Sequence, residues 1–304
     1  MSENEPKNHH YIPQHFLKAW TNDKGELVRY RVIQATGKFE IKSVSVRKTA
    51  SQEHLYRMNF EDGSFEIEST IVTPLVDEEG HKIINLVRGE SFSALDNESK
   101  RKLAIYITQL IARHPDTIKL MDMSSRLEEL RTQLKSEKSG SDESVDDVIN
   151  YFKSSDTLGV MPLAYFLQNE SNPILDKPFS ESLMKAHTKE YIFETPVLLC
   201  SDYPAANWGN FDDYIFCVLA ISPTKAIIYS SHSNIDVFDM VSSNTLIRMI
   251  NLYSIAKADA AFYIDDTQKF FVEKHLGWAK KHSDLNAQKE YVGKCVAEWE
   301  SFQQ

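Results

Sequence analysis

Glu26-Leu27-Val28-Arg29-Tyr30-Arg31-Val32 alternates apolar and polar side chains with the period of two that a half-buried strand needs. The alternation returns over Phe39-Glu40-Ile41-Lys42-Ser43-Val44. Thr36-Gly37-Lys38 between the two runs predicts an antiparallel hairpin, and Asn22 to Gly25 supply the turn before it. His54 to Met58 suggests a short third strand. The period then lengthens to that of a helix. Phe65 to Val87 sets Ile67, Ile71, Leu75, Ile83 and Leu86 on one side, with Pro74 and Gly80 as breaks or kinks. Asp96 or Asn97 caps a further helix from about Glu98, with Leu103, Ile107, Leu110 and Ile111 inward. That run continues to about Leu134, interrupted at Pro115. Residues 135–147 are polar and charged and predict a flexible loop. Shorter helical pieces follow over 145–153 and 157–169.

The second half returns to strand patterns at Tyr191–Phe193, Val197–Cys200, Tyr214–Ile221 and Ala226–Ser230. Ser222 to Lys225 joins the last two as a hairpin. Ser243 caps a helix expected to run to about Ala261, and 270–281 and 286–302 end the chain as helices. Strands and helices segregate instead of alternating. The fold class is therefore α+β: antiparallel hairpins and sheet packed with long helices, with a helical C-terminal region. The whole chain, 1–304, reads as one such domain. No glycine-rich phosphate loop occurs among its ten glycines.

The start of the chain is dense in reactive groups. His9 and His10 are adjacent, Pro13 can open a helix, and Phe16, Leu17 and Trp20 give that helix one apolar face. Charge sharpens this. The 304 residues carry a net charge of −10, which argues against a surface devoted to nucleic acid. Yet residues 1–60 hold ten basic against six acidic side chains, a local excess of +4 that leaves −14 for the rest. A basic N-terminal region fits a nucleic acid or nucleotide; solvated strand faces explain it equally well. Cys200, Cys217 and Cys295 are too scattered for a zinc ribbon or a disulfide framework. There is no apolar leader, and the longest apolar run is too short to cross a bilayer. A cytoplasmic setting without membrane contact is expected.

Several residues can carry chemistry. On a strand, His9 and His10 point to opposite faces, which predicts one imidazole in a site and the other structural. Glu66 and Glu68 fit a helix start by charge alone, and Glu68, flanked by Ile67 and Ile71, is the better metal ligand or base. Arg113, beside the break at Pro115, suits either an anion or a buried acid such as Glu68. Asp202 follows a buried strand and can bind a metal, orient a histidine or close an Asx-turn before Pro204. Ser201 lacks the flanking glycines of a nucleophile elbow. Arg47 and Lys48 belong to the basic face, and Asn251 reads as a buried polar contact within a helix.

Taken in order, these landmarks resemble a bacterial family known as domain of unknown function 4238. The likeness rests on His9-His10-Tyr11-Ile12-Pro13 with Phe16-Leu17, Leu55-Tyr56, Ile67-Glu68, Arg113-His114-Pro115, Ser201-Asp202-Tyr203-Pro204, Ser222-Pro223 and Asn251. Cys200 stands where the family more often has threonine. The resemblance implies no established chemistry, but it predicts that His9, His10, Glu68, Arg113 and Asp202 converge. One expectation is a metal-dependent phosphodiester hydrolase, nuclease-like and of defence or toxin type. His10, Glu68, Arg113 and Asp202 would be catalytic, and His9, His10, Glu68 and Asp202 would hold a divalent ion such as Mg²⁺ or Mn²⁺. The alternative is a non-catalytic sensor or interaction protein, or a nucleotide-binding regulator, in which the same residues are structural.

Overall fold

The computed structural model describes residues 8–33, 35–60, 63–66, 72, 77–121, 127–136, 145–147, 149–150, 179–208, 215–282 and 284–301. The architecture is α+β with antiparallel sheets throughout. Strand β1 (Asn8–His10) leads into the short helix α1 (Gln14–Leu17). The predicted hairpin follows as β2 (Glu26–Ile33) and β3 (Lys38–Ser45). Strand β4 (Ser51–Glu53) comes next and pairs with β1. β5 (Arg57–Phe60) and β6 (Gly63–Glu66) then form a small hairpin of their own. The expected third strand therefore starts later than the pattern suggested, and Phe65 and Glu66 are strand, not helix.

Helix α2 (Glu78–Gly89) buries Ile83 as expected, with Ile84 and Val87, but Leu86, expected inward, is exposed; Ile67, Ile71 and Leu75 lie outside the described residues. Gly80 does not break it. A Cβ there would overlap the Tyr106 ring, so glycine lets α2 lie directly against the next helix. That helix, α3 (Asn97–Ala112), is capped by the Asp96 carboxylate, which accepts from the Ser99 N–H at 2.7 Å. Such a cap contributes about 1 kcal/mol. Pro115 breaks the helix as expected, and α4 (Pro115–Met121) restarts there, because a proline lacks only an N–H that is unpaired at a first turn. α5 (Leu127–Ser136) extends into the stretch expected to be a loop, and residues 145–147 are again helical. Residues 137–144 and the helix expected over 157–169 lie outside the described residues.

After α6 (Phe179–Lys185) come β7 (His187–Ile192), β8 (Cys200–Ser201), β9 (Ala205–Trp208), β10 (Phe216–Ser222) and β11 (Lys225–Ser230). α7 (Ser243–Ser254) is capped by Ser242, one residue earlier than expected. β12 (Ala260–Tyr263), α8 (Lys269–His275) and α9 (Leu285–Ser301) complete the chain. The helix predicted to reach Ala261 stops at Ser254 because Ala260 to Tyr263 pair with both β2 and β8. Pairing on two sides outweighs the helix propensity of alanine. Gly277 divides the next expected helix. Its φ of 65° is left-handed, and its N–H reaches the Ile255 carbonyl at 3.0 Å.

Two four-stranded sheets result, ordered β7-β11-β10-β9 and β3-β2-β12-β8. Every residue from Phe216 to Ile221 is buried, so both faces of β10 are covered, and α2 and α7 both pack against it. This explains why β10 reads as a continuous apolar run while the β2–β3 hairpin alternates. Burying each such Leu, Ile or Val contributes about 1.5–3 kcal/mol. The N-terminal segment belongs to the core. Ile12, Phe16, Leu17 and Trp20 are fully buried, and the Trp20 indole donates to the Leu198 carbonyl at 2.9 Å. Arg88 on α2 donates to the carbonyls of Phe16 and Ile221 at 2.8 and 2.9 Å, tying helix, N-terminus and sheet together. No described helix is long and apolar enough to cross a membrane.

Candidate functional site

The antiparallel register His9↔Gln52 and His10↔Ser51 fixes where the paired imidazoles go. Alternation along β1 buries His9 completely and leaves His10 half-buried. Beyond β4, His54 adopts a left-handed φ of 53°, and the turn it makes aims the Tyr56 N–H at His9 Nδ1, 2.9 Å away. An accepting Nδ1 places the ring proton of a neutral His9 on Nε2. The His9 and Tyr56 rings stack with centroids 5.5 Å apart. His10 turns outward to the Arg47 carbonyl at 3.1 Å. Burial, with the nearby Arg113 charge, holds its pKa below the usual histidine value, while the bond to that carbonyl opposes the shift.

Arg113 closes the C-terminal end of α3 and is fully buried. All three guanidinium nitrogens are engaged. Nη1 meets Asp77 Oδ1 at 2.6 Å, Nη2 donates to the His10 carbonyl, and Nε donates to the Tyr56 hydroxyl at 3.3 Å. The acid expected opposite Arg113 was Glu68, which lies outside the described residues; Asp77, just before α2, is the described partner. About two helical turns back, the Tyr106 hydroxyl sits 3.1 Å from His15 Nε2. The His15 ring lies 5.0 Å from that of His81. Burial and that neighbour push His15 down to about 3, so it is neutral at pH 7.

Asp202 belongs to a second, adjoining cluster. It follows β8 and turns back onto the start of β12. Its N–H donates to the Ala260 carbonyl at 2.9 Å, and its carboxylate accepts from the N–H groups of Asp259 (3.1 Å) and Ala260 (3.0 Å). Burial pushes this carboxyl up to about 7, against the pull of those two donors. Ser201 donates to the Ser254 carbonyl at 2.7 Å and accepts from the Tyr203 N–H. Around them stand Lys280, paired with Asp259 at 2.9 Å and Asp116 at 3.6 Å, and His114. The His114 ring packs edge-on to Tyr11 and Tyr203, and burial pushes its pKa down to about 4.

The two clusters meet through neighbours in sequence. His10 and Arg113 carry contacts of the first; Tyr11 and His114, the next residues along, belong to the second. Tyr11 lies where the charges of Asp202 and Asp259 act on its phenol, which burial and those charges hold well above its usual value. Among the described residues, no three His, Cys, Asp or Glu side chains gather in a way that could hold a metal ion. Of the basic face, Arg29 and Arg31 share Glu40, whereas Arg47 and Lys48 are exposed. Asn251 is the buried polar contact expected: its amide accepts from the Leu199 N–H and donates to the Val197 carbonyl, both at 2.8 Å.

The sequence reading missed Asp77, Tyr106, Asp259 and Lys280 as participants. Tyr106 carried a signal, since it precedes Arg113 by seven residues and so shares its helix face. Asp259 and Lys280 carried none, because the pairing of β12 with β8 and the packing of the turn after Gly277 on Ile255 and Ala256 bring them to Asp202.

The chain belongs to the family described as Protein of unknown function (DUF4238), which it matches over residues 8–268. No curated protein and no solved structure matches the chain.

Proposed function

We propose that this chain is a non-catalytic sensor or interaction protein, in which the family landmarks brace the fold. The observation that carries the reading is Arg113: a fully buried guanidinium whose three nitrogens all meet protein oxygens. A fully buried cation whose three nitrogens each already meet a protein oxygen is closed off from a substrate phosphate. Asp202 supports the same reading, because both its oxygens are engaged by backbone donors that stitch β8 to β12. His9 likewise accepts from a backbone N–H within a fully buried stack. Together these contacts clamp the N-terminal strand against α3 and close one sheet edge.

A metal-dependent phosphodiester hydrolase is the second reading. It is favoured by His10, a half-buried imidazole with a lowered pKa beside the exposed Arg47 and Lys48. The two readings separate when the purified protein is incubated with plasmid DNA and total RNA plus Mg²⁺ or Mn²⁺, beside His10→Ala and Asp202→Ala. The brace reading expects intact nucleic acid throughout. It also expects Asp202→Ala to be less stable by about 1–3 kcal/mol, the cost of leaving buried donors unpaired. Cleavage by the wild type that both variants lose while folded would overturn it in favour of the hydrolase.

A further inference from the structure

An open cleft of about 580 Å³ lies between α7, α8 and the end of α9. It shares no residue with the two landmark clusters. Its floor is the Asn251 side chain, already engaged on both sides by backbone. Its walls are of a different kind. Arg248 projects from the exposed side of α7 with its guanidinium carbon 5.9 Å from the centre of the Trp299 ring. Among the described residues it forms no ion pair or hydrogen bond. Lys274 lines the same cleft from α8 and, among the described residues, pairs with Glu298 at 3.0 Å on the exposed surface. Among the described residues no acidic side chain lines the cleft, Glu298 meeting Lys274 outside that lining.

Phe270, at the lip, is 80% exposed, an unfavourable place for a large apolar ring without a partner. Asn244 on α7, and Thr267 and Gln268 just before α8, add neutral hydrogen-bonding groups to the lining. The volume falls within the ordinary range for sites that take organic ligands, which is roughly 300–1,000 Å³.

The combination points to one class of ligand. A guanidinium held against an aromatic face and an ammonium in the same lining select an anion, and the guanidinium's forked donors suit phosphate. An exposed phenyl ring offers a stacking surface to a planar heterocycle such as a nucleobase. Amide and hydroxyl side chains can then meet the edge of such a ring. We infer that the cleft binds a nucleoside phosphate, with the phosphate toward Arg248 and Lys274 and the base against Phe270. Phe270, Lys274 and Trp299 lie beyond residue 268, where the family match ends, while Arg248 and Asn251 lie within it. The inference is independent of the brace reading, because neither uses a residue of the other.

The test is calorimetric titration of the full chain with AMP, GMP, CMP and UMP, beside adenosine and inorganic phosphate. Arg248→Glu and Phe270→Ala serve as variants. Both side chains are exposed, so circular dichroism and the unfolding midpoint of the free variants should match the wild type. The expected result is saturable binding of at least one nucleotide, weakened tenfold or more by Arg248→Glu and severalfold by Phe270→Ala. Adenosine and inorganic phosphate should each bind far more weakly. No binding of any nucleotide at millimolar concentration would overturn the inference. So would binding that both folded variants retain, or inorganic phosphate binding as tightly as the nucleotide.

Discussion

The Arg113 cluster and the C-terminal cleft each hold an arginine near an aromatic ring, yet the two arginines have opposite surroundings. The Arg113 guanidinium lies 5.7 Å from the Tyr56 ring, fully buried, and each nitrogen donates to a protein oxygen. Arg248 lies at a similar distance from Trp299, on an exposed helix face, with no partner among the described residues. The difference teaches that charge and aromatic company do not identify a binding site. What matters is whether the donors are already engaged. A saturated, desolvated cation is part of the fold, and removing it strands its partners. An open one adds little to stability and is free to bind.

The largest expected effect is at the first site. Arg113→Ala leaves Asp77, the His10 carbonyl and the Tyr56 hydroxyl without their donor, and should cost about 3–5 kcal/mol in urea unfolding. Gly80→Ala sharpens the same region from the packing side. The added methyl has nowhere to go but into the Tyr106 ring, and a loss of about 1–3 kcal/mol should appear as a lower denaturation midpoint.

Intermediate effects should appear in the pH dependence of the second cluster. Burial depresses His114 to about 4, below its unfolded value of 6.5. Its contribution to stability is present above 6.5 and is lost as pH falls toward 4. Asp202, raised from 3.8 to about 7, behaves oppositely: its contribution is present below 3.8 and is lost as pH rises through 7. Unfolding measured at pH 4.5, 5.5 and 6.5 should therefore show His114→Gln flattening the rise of stability with pH. The change should be at most about 1.4 kcal/mol per pH unit. Asp202→Asn should instead steepen that rise, and should lower stability at every pH because an amide nitrogen would face a backbone N–H. Slopes that both substitutions leave unaltered would show that neither group is held away from its ordinary titration. The smallest effect belongs to the cleft, where Arg248→Glu should leave stability within about 0.5 kcal/mol of wild type.

The sequence made some of this legible. Period-two alternation located the β2–β3 hairpin, Asp96 and Pro115 marked the ends of α3, and the β10–β11 hairpin followed from its turn residues. Alternation also foresaw that His9 and His10 would part company. What remained hidden depends on partners distant in the chain. Ala260 and Ala261 have the helix propensity that extended the expected helix, yet they are strand because β2 and β8 flank them. Asp77 becomes the partner of Arg113 only when α2 packs on α3, an approach that hangs on Gly80. Neither the engagement of Asp202 by Asp259 and Ala260 nor the pairing of Lys280 has any local signature. The family landmarks were visible as residues, but whether their polar atoms were free or engaged was not.

The most direct test of the account is a paired urea titration of Arg113→Ala and Arg248→Ala against the wild type. The account predicts a loss of about 3–5 kcal/mol for the first with an unchanged m-value, and a change within about 0.5 kcal/mol for the second. An Arg113→Ala protein as stable as Arg248→Ala would contradict it, because the buried guanidinium would then be contributing nothing to the fold.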